Sequence, residues 1–277
     1  YMGWLGKGIV VWIHTACARI LRACRAVVGV RETRLWFLRA CEGEEMAAAR
    51  QVLLDRALLE AARSGDGLEV ARMLRVGANT EAVNTDGDKP LYIACQEGQE
   101  ACLHSMAGAD MKAAMTSGYT PLHWACEKGH EACVLTLLGA GANKEAVTTD
   151  GRTALHIACC NGHEACVRAL LGVGAATEAV NMYGTTPLHN ACWNGQVACV
   201  RALLGAGANK EAADKFSGCT PLHIACENGQ EACVRVLLDA GANVKAVAID
   251  GSTPLSVARS NGHRSIMRLL EAAATVR

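Results

Sequence analysis

Aromatic side chains and prolines are scarce in this sequence of 277 residues: aromatics make up 4% of it, and there are 5 prolines. The apolar fraction of 51% is therefore supplied largely by Ala, Val, Leu and Cys. Small side chains of this kind fill thin, closely packed layers better than one bulky central core. The composition predicts a protein built from such layers.

The sequence also lacks an excess of charge of either sign, with 27 Lys and Arg against 27 Asp and Glu. No overall field would attract nucleic acid, so we expect no nucleic-acid partner. The balance conceals a local asymmetry, because residues 1–40 contain seven basic residues and one acidic residue, a net charge of +6. Residues 41–277 then carry a net charge of −6.

No uncharged run is long enough to cross a membrane: Gly8–Ala18, the longest near the N-terminus, falls well short of the about 20 apolar residues that a spanning helix needs. Nor are any two of the 15 cysteines spaced as Cys-x-x-Cys, the close pair from which zinc sites normally draw ligands. Because the chain is long and its cysteines follow a repeat, we expect free thiols in a reducing compartment, the cytoplasm.

What the sequence does contain is a short block of Thr, Pro or Ala, Leu and His that recurs at nearly fixed spacing. The four clearest copies begin at Thr120, Thr153, Thr186 and Thr220, which are 33, 33 and 34 residues apart. Degenerate copies at Lys89 and Thr253, with a matching leucine at Leu58, bring the number of copies to seven.

Each copy predicts a pair of helices. In the fourth copy, Thr153 stands where a helix N-cap belongs, and the first apolar stripe ends at Asn161-Gly162. A second apolar stripe follows and ends at Gly172, and a polar, turn-prone stretch such as residues 148–151 predicts a hairpin loop. Because one copy cannot bury its own apolar stripes, neighbouring copies must stack face to face.

The Thr-Pro-Leu-His-x-Ala block, the glycine turn, the Leu-Leu pair and the Gly-Ala-Asn segment together resemble the ankyrin repeat. The resemblance covers roughly residues 55–277 and implies an all-α-dominated solenoid of stacked helix-turn-helix repeats with β-hairpin loops. It also implies a concave face that binds partner proteins, and a structural histidine that ties neighbouring loops together. We assign residues 44–277 to a domain of about seven repeats with degenerate terminal repeats, and residues 1–43 to a separate segment.

Two positions depart from the usual ankyrin pattern, which has Ala in the first helix and an aliphatic residue in the second. Five copies have Cys at both: Cys95 and Cys102, Cys126 and Cys133, Cys159 and Cys166, Cys192 and Cys199, Cys226 and Cys233. Since Cys is a small and frequently buried residue, we interpret all ten as core substitutes. We expect no metal, no cofactor and no catalytic residue.

Residues 1–43 have the pattern of a basic amphipathic helix, with apolar side chains from Ile9 to Val28 on one face. The opposite face carries Arg19, Arg22 and Arg25. Four interpretations stay open: a cap over the first repeat, a helix that makes weak contact with a membrane surface, a targeting segment, and a disordered stretch or mistaken gene start. Lys7, the apolar run and the small residues 16–18 also fit a cleavable signal peptide.

The second repeat should be the weak point of the stack. Only 31 residues separate Pro90 from Pro121, and the deficit falls in the second helix, where one Leu of the pair is absent. We therefore expect faster hydrogen exchange at residues 102–114 than at residues 166–178.

Positions that differ between copies are not needed for stacking and are available for recognition. Besides Asp88 and Lys128, the candidate protein-binding residues are Tyr119, Arg152, Met182, Tyr183, Trp193, Asn194, Lys215 and Phe216. Stacking should bring Tyr183, Trp193 and Phe216 to one concave face. The sequence thus predicts a monomeric, non-catalytic scaffold or adaptor for a protein partner. The alternatives are a regulatory or substrate-recruiting region of a larger enzyme, and a membrane-linked interaction protein.

Overall fold

The computed structural model describes residues 44–106 and 114–276. The predicted N-terminal segment, residues 1–43, lies outside the described residues. Fourteen helices follow one another in the described part and form seven helix-turn-helix pairs. They are α1 Glu44–Ser64, α2 Gly67–Arg75, α3 Pro90–Gln96, α4 Glu100–Ser105, α5 Pro121–Lys128, α6 Glu131–Gly139, α7 Ala154–Asn161, α8 Glu164–Gly172, α9 Pro187–Trp193, α10 Val197–Gly205, α11 Pro221–Glu227, α12 Glu231–Asp239, α13 Pro254–Ser260 and α14 Arg264–Val276.

The recurring Thr and His start each of the helices α5, α7, α9 and α11 in the same way. Thr153, for example, has an extended backbone, and its hydroxyl oxygen accepts a hydrogen bond from the backbone N–H of His156 at 3.5 Å. In return, Nδ1 of His156 accepts a hydrogen bond from the backbone N–H of Thr153 at 3.2 Å. This reciprocal cap satisfies amide groups that a helix start leaves without partners, which confirms the predicted N-cap position.

Three of these histidines, His156, His189 and His223, also tie their repeat to the next. Nε2 of His156 lies 3.1 Å from the carbonyl oxygen of Thr185, and Nε2 of His189 lies 3.1 Å from that of Cys219. Burial lowers the pKa of His123 and of His156 to about 4, so these rings are neutral at physiological pH. The structural role that the resemblance implied is confirmed for His156, His189 and His223, whereas Nε2 of His123 is buried without a hydrogen-bond partner.

A second series of hydrogen bonds joins the repeats at the turn inside each helix pair. Gly129 ends α5 with a φ of 79°, and a Cβ at this position would lie 2.5 Å from the ring of His163 in the next repeat. Glycine is therefore needed both for its backbone conformation and for the space. The His163 ring uses that space to place Nε2 at 3.0 Å from the carbonyl oxygen of Glu127.

The loops between repeats are tight turns, and no strand occurs within residues 44–106 and 114–276. Each turn closes as a hairpin does: the backbone N–H of Thr148 donates to the carbonyl of Arg152 at 3.0 Å. Adjacent turns are joined by single backbone bonds, such as the one from Met182 N–H to Asp150 at 2.9 Å. The loops consequently stand side by side in one row.

All ten patterned cysteines lie in the continuous apolar core, at 0% or 1% exposure. Burial raises the pKa of Cys226 to about 12 and that of Cys133 to about 11, so both thiols stay protonated at neutral pH. Because all ten thiols are buried in the apolar core, the interpretation of these residues as core substitutes is confirmed.

Helix α4 in the second repeat has 6 residues, whereas α6 in the third has 9. Met106 is fully buried and takes the place that Leu137 occupies in the third repeat. The missing leucine corresponds to Leu138, which is only half-buried. Its loss should therefore cost roughly 1 kcal/mol, less than a fully buried leucine would. Residues 107–113, on which the exchange prediction partly falls, lie outside the described residues, and that prediction stays a prediction.

Candidate protein-binding groove

A groove with a volume of about 1040 Å³ runs along four consecutive repeats. It lies between the loops that precede helices α7, α9, α11 and α13 and the residues on those helices. Five of the eight predicted binding residues line it: Arg152, Tyr183, Trp193, Asn194 and Phe216. The predicted meeting of Tyr183, Trp193 and Phe216 on one face is therefore what the structure shows.

The loops contribute one row of side chains to the groove, which we call the loop row. In chain order its members are Asp150, Tyr183, Phe216 and Asp250. The two aromatic side chains are 56% and 65% exposed, which is unusual for rings of this size. Two carboxylates thus flank two exposed aromatic rings.

The helix ends contribute a second row, which we call the helix row: Cys160, Trp193, Glu227 and Ser260. The first three each follow a buried cysteine of their helix. Trp193 is 52% exposed although it closes a helix whose preceding residue, Cys192, is fully buried. The next repeat holds this helix end in place, because Nε2 of Gln230 donates to the carbonyl of Trp193 at 3.3 Å. Asn194 is anchored on the other side, with Nδ2 at 3.3 Å from Sγ of Cys160.

The spacing between Thr186 and Thr220 is 34 residues, one more than the two spacings before it, and Phe216 is the extra residue. The carbonyl of Ser217 accepts a backbone hydrogen bond from the next loop, as the carbonyl of Asp150 does two loops earlier. Ser217 is therefore the residue equivalent to Asp150, and Phe216, which precedes it, is the inserted residue. Asp214 shapes this wider turn by accepting hydrogen bonds from the backbone N–H groups of Phe216 at 2.9 Å, Ser217 at 2.8 Å and Cys219 at 3.0 Å. The phenyl ring is therefore presented by a rigid turn.

The pKa of the Asp214 carboxyl reflects the same arrangement. Burial raises it, but the hydrogen bonds from Ser217, Phe216 and Cys219 outweigh burial and bring the pKa below its ordinary value. Asp214 is therefore ionised at neutral pH even though it is only 8% exposed.

The groove carries a net negative charge. Four carboxylates line it, those of Asp150, Asp214, Glu227 and Asp250, against one cationic side chain, Arg152. Nε of Arg152 is 2.6 Å from Oδ2 of Asp150, so this cation is already paired. His189 and His223 also line the groove, but burial lowers the pKa of each, and they contribute no charge at neutral pH.

The other three predicted binding residues lie outside the lining of the groove. Tyr119 is half-buried, with its ring centroid 5.5 Å from that of Trp124. Met182 is 57% exposed at the loop surface. Nζ of Lys215 lies 5.8 Å from the ring centroid of Phe216, at the rim of the groove.

Comparison of the repeats alone did not single out Trp124 or the acidic residues of the groove. Trp124 stands where other copies have Ile93, Ile157 or Asn190, and this variation was a signal available in the sequence. The carboxylates gave no such signal, because an Asp before the loop glycine also occurs outside the groove, at Asp86.

Within residues 44–106 and 114–276, no group of three or more His, Cys, Asp and Glu side chains is arranged to hold a metal ion. In the same part of the chain, no helix combines the length and apolar character that crossing a membrane requires.

The architecture defines a class of protein, the helical-repeat solenoid, and comparison with known proteins identifies the family within it. The family model of ankyrin repeats in three copies matches residues 58–148, 136–214 and 207–276. The chain belongs to the ankyrin repeat family, whose members are generally protein-interaction modules. The structure is similar to the crystal structure of the human ASB11 ankyrin repeat domain, at 30% sequence identity and a TM-score of 0.66, covering 76% of this chain and 96% of that one. No curated protein matches the sequence.

Proposed function

We propose that this chain is a non-catalytic scaffold or adaptor that binds a partner protein in the groove between the loop row and the helix row. The observation that carries the proposal is the convergence of three exposed aromatic rings, those of Tyr183, Trp193 and Phe216. Stacking does not require them: Asp150 and Cys160 hold the places equivalent to Tyr183 and Trp193, and Phe216 is an inserted residue. Exposed aromatics in a concave site are typical energetic anchors of protein interfaces.

The rigidity of the site supports the same proposal. Trp193 ends a helix that is bonded to its neighbour through Gln230, and Phe216 stands on a turn held by Asp214. Because these bonds fix the backbone that carries the two rings before a partner arrives, less conformational entropy is lost when one binds. A pre-ordered aromatic surface of this kind suits recognition better than catalysis, which would need nucleophiles and bases arranged around a reacting atom.

The test is to measure thermal stability and partner affinity for Trp193→Ala and Tyr183→Ala, using the partner recovered with the full chain. Each change should weaken binding by on the order of 2 kcal/mol, because anchor residues at interfaces contribute that much. The melting temperature should change little, since both side chains are more than half exposed.

Leu135→Ala is the matched control, because Leu135 is 51% exposed on α6, away from the groove lining. It should leave affinity unchanged. A large fall in melting temperature for Trp193→Ala with unchanged affinity would show that the aromatic residues serve the fold and not an interface.

We further propose that the protein acts as a monomer in a reducing compartment, the cytoplasm, and that residues 44–277 form the repeat domain. The twelve cysteines of the described residues are free thiols, which supports a reducing environment. Sedimentation of the full chain tests the oligomeric state, and a concentration-dependent dimer would contradict it.

A further inference from the structure

We propose that the groove recognises an arginine side chain of its partner, seated against Trp193 and between the carboxylates of the two rows. This inference rests on the proposed function and specifies the chemistry of the partner. It is carried by the order of the side chains within the groove and by their charge.

The order of residues places aromatic rings beside acids in both rows. Along the loop row, Tyr183 and Phe216 stand between Asp150 and Asp250. Along the helix row, Trp193 is followed one helix later by Glu227. Each of the three rings therefore has a carboxylate in a neighbouring repeat of its own row.

Trp193 and Glu227 hold the same position in successive repeats. They end α9 and α11, two helices that pack directly against each other. Packed helices lie about 8–10 Å apart, so a guanidinium stacked flat on the indole extends toward the Glu227 carboxylate. Glu227 is exposed and so available to an incoming group.

The repeats already use contacts between a cation and an aromatic ring. Nζ of Lys128 lies 5.7 Å from the ring centroid of Trp124, and Nζ of Lys215 lies 5.8 Å from that of Phe216. Among the described residues, no cation lies over the rings of Trp193 and Tyr183. These two rings are therefore open to a cation from a partner.

Charge selects against the other classes of ligand. With four carboxylates and one paired arginine in its lining, the groove repels acidic peptides and phosphate groups. A purely apolar segment would bury the exposed carboxylates of Glu227 and Asp250 without giving either a cationic partner, which is unfavourable. Arginine fits best because its planar guanidinium both stacks on aromatic rings and binds carboxylates through paired hydrogen bonds.

The experiment uses the full chain and four fluorescein-labelled peptides of Gly, Ser and Ala that differ only in two central residues: Arg, Lys, Gln or Glu. Fluorescence anisotropy measures each affinity at low and at raised ionic strength. The arginine peptide should bind more tightly than the lysine peptide, and the Gln and Glu peptides should bind least. Trp193→Ala should weaken arginine binding roughly tenfold.

Asp250→Asn and Glu227→Gln should each weaken binding of the arginine peptide and reduce its dependence on salt, because one attractive charge is lost. The matched control for the first is Asp86→Asn, which changes the same loop position outside the groove. Neither stability nor arginine binding should change in this control.

Equal binding of the Arg and Glu peptides, or binding that Trp193→Ala and Asp250→Asn leave intact, would overturn the inference. The chain's own basic residues 1–40 are a competing occupant. If the peptides bind only when Arg19, Arg22 and Arg25 are replaced by Ser, that segment fills the groove and the assignment to a partner is wrong. If a partner protein depends on Trp193 but not on arginine, the inference fails while the proposed function stands.

Discussion

Acidification from pH 7 to pH 5 should destabilise the repeat stack through its buried histidines. Burial lowers the pKa of His123 and of His156 to about 4, whereas an exposed histidine in the unfolded chain titrates at about 6.5. Between these values the unfolded chain binds more protons than the folded one. The stability that the neutral rings contribute is therefore complete above about pH 6.5 and is lost as the pH falls toward 4.

The magnitude follows from the same pKa values. At pH 5 each of these two histidines takes up roughly 0.9 proton on unfolding, so the free energy of unfolding should fall by about 2.4 kcal/mol per pH unit. His189 and His223, whose pKa values burial also lowers, act in the same direction. Carboxylates with lowered pKa values, such as Asp214, lose their contribution only at lower pH.

The assay is urea unfolding followed by circular dichroism at pH 7, 6 and 5, with the double variant His123→Asn, His156→Asn beside the unchanged chain. The double variant is less stable at pH 7 but should lose less stability on acidification, since two titrating groups are gone. His104→Asn, which removes an exposed histidine from α4, should keep the full dependence. An unfolding midpoint that is constant from pH 7 to 5, or an undiminished dependence in the double variant, would refute the reasoning.

Three further predictions follow from packing and hydrogen bonding. The ten buried cysteines should react slowly with a thiol reagent in the native protein and rapidly in denaturant, and more slowly than the half-buried Cys160; stoichiometric zinc by elemental analysis would contradict this account. Amide exchange should be faster at residues 102–106 than at residues 166–170, because α4 is short, and equal protection would count against it. Asp214→Ala removes the acceptor of three backbone hydrogen bonds, so it should lower stability by about 1–3 kcal/mol and weaken partner binding by loosening Phe216; an unchanged melting temperature would argue against this role.

Much of the fold could be predicted from the sequence because its determinants are local and repeated. The N-cap at Thr153, the helix end at Gly162 and the buried cysteines each depend on residues within one copy. The hydrogen bond between Nε2 of His163 and the carbonyl of Glu127 could not be predicted in the same way. Those two residues are 36 positions apart and meet only when two repeats stack.

Part of the candidate site was also predictable from the sequence. Variation between copies indicated Tyr183 and Trp193, since an exposed position is free to differ from its counterparts. The partial burial of Tyr119 was not predictable, because it depends on the neighbouring Trp124 ring. Nor was the negative charge of the groove, which arises from carboxylates that four separate repeats bring together.

The most direct test of the central claim is site-specific photo-cross-linking between this chain and its purified partner. A photoreactive phenylalanine at position 193, in the helix row, should cross-link to the partner in high yield. The same residue at position 135, equally exposed on α6, should not. Cross-linking from position 135 and none from position 193 would show that the partner binds another face, and that the groove is not the interface.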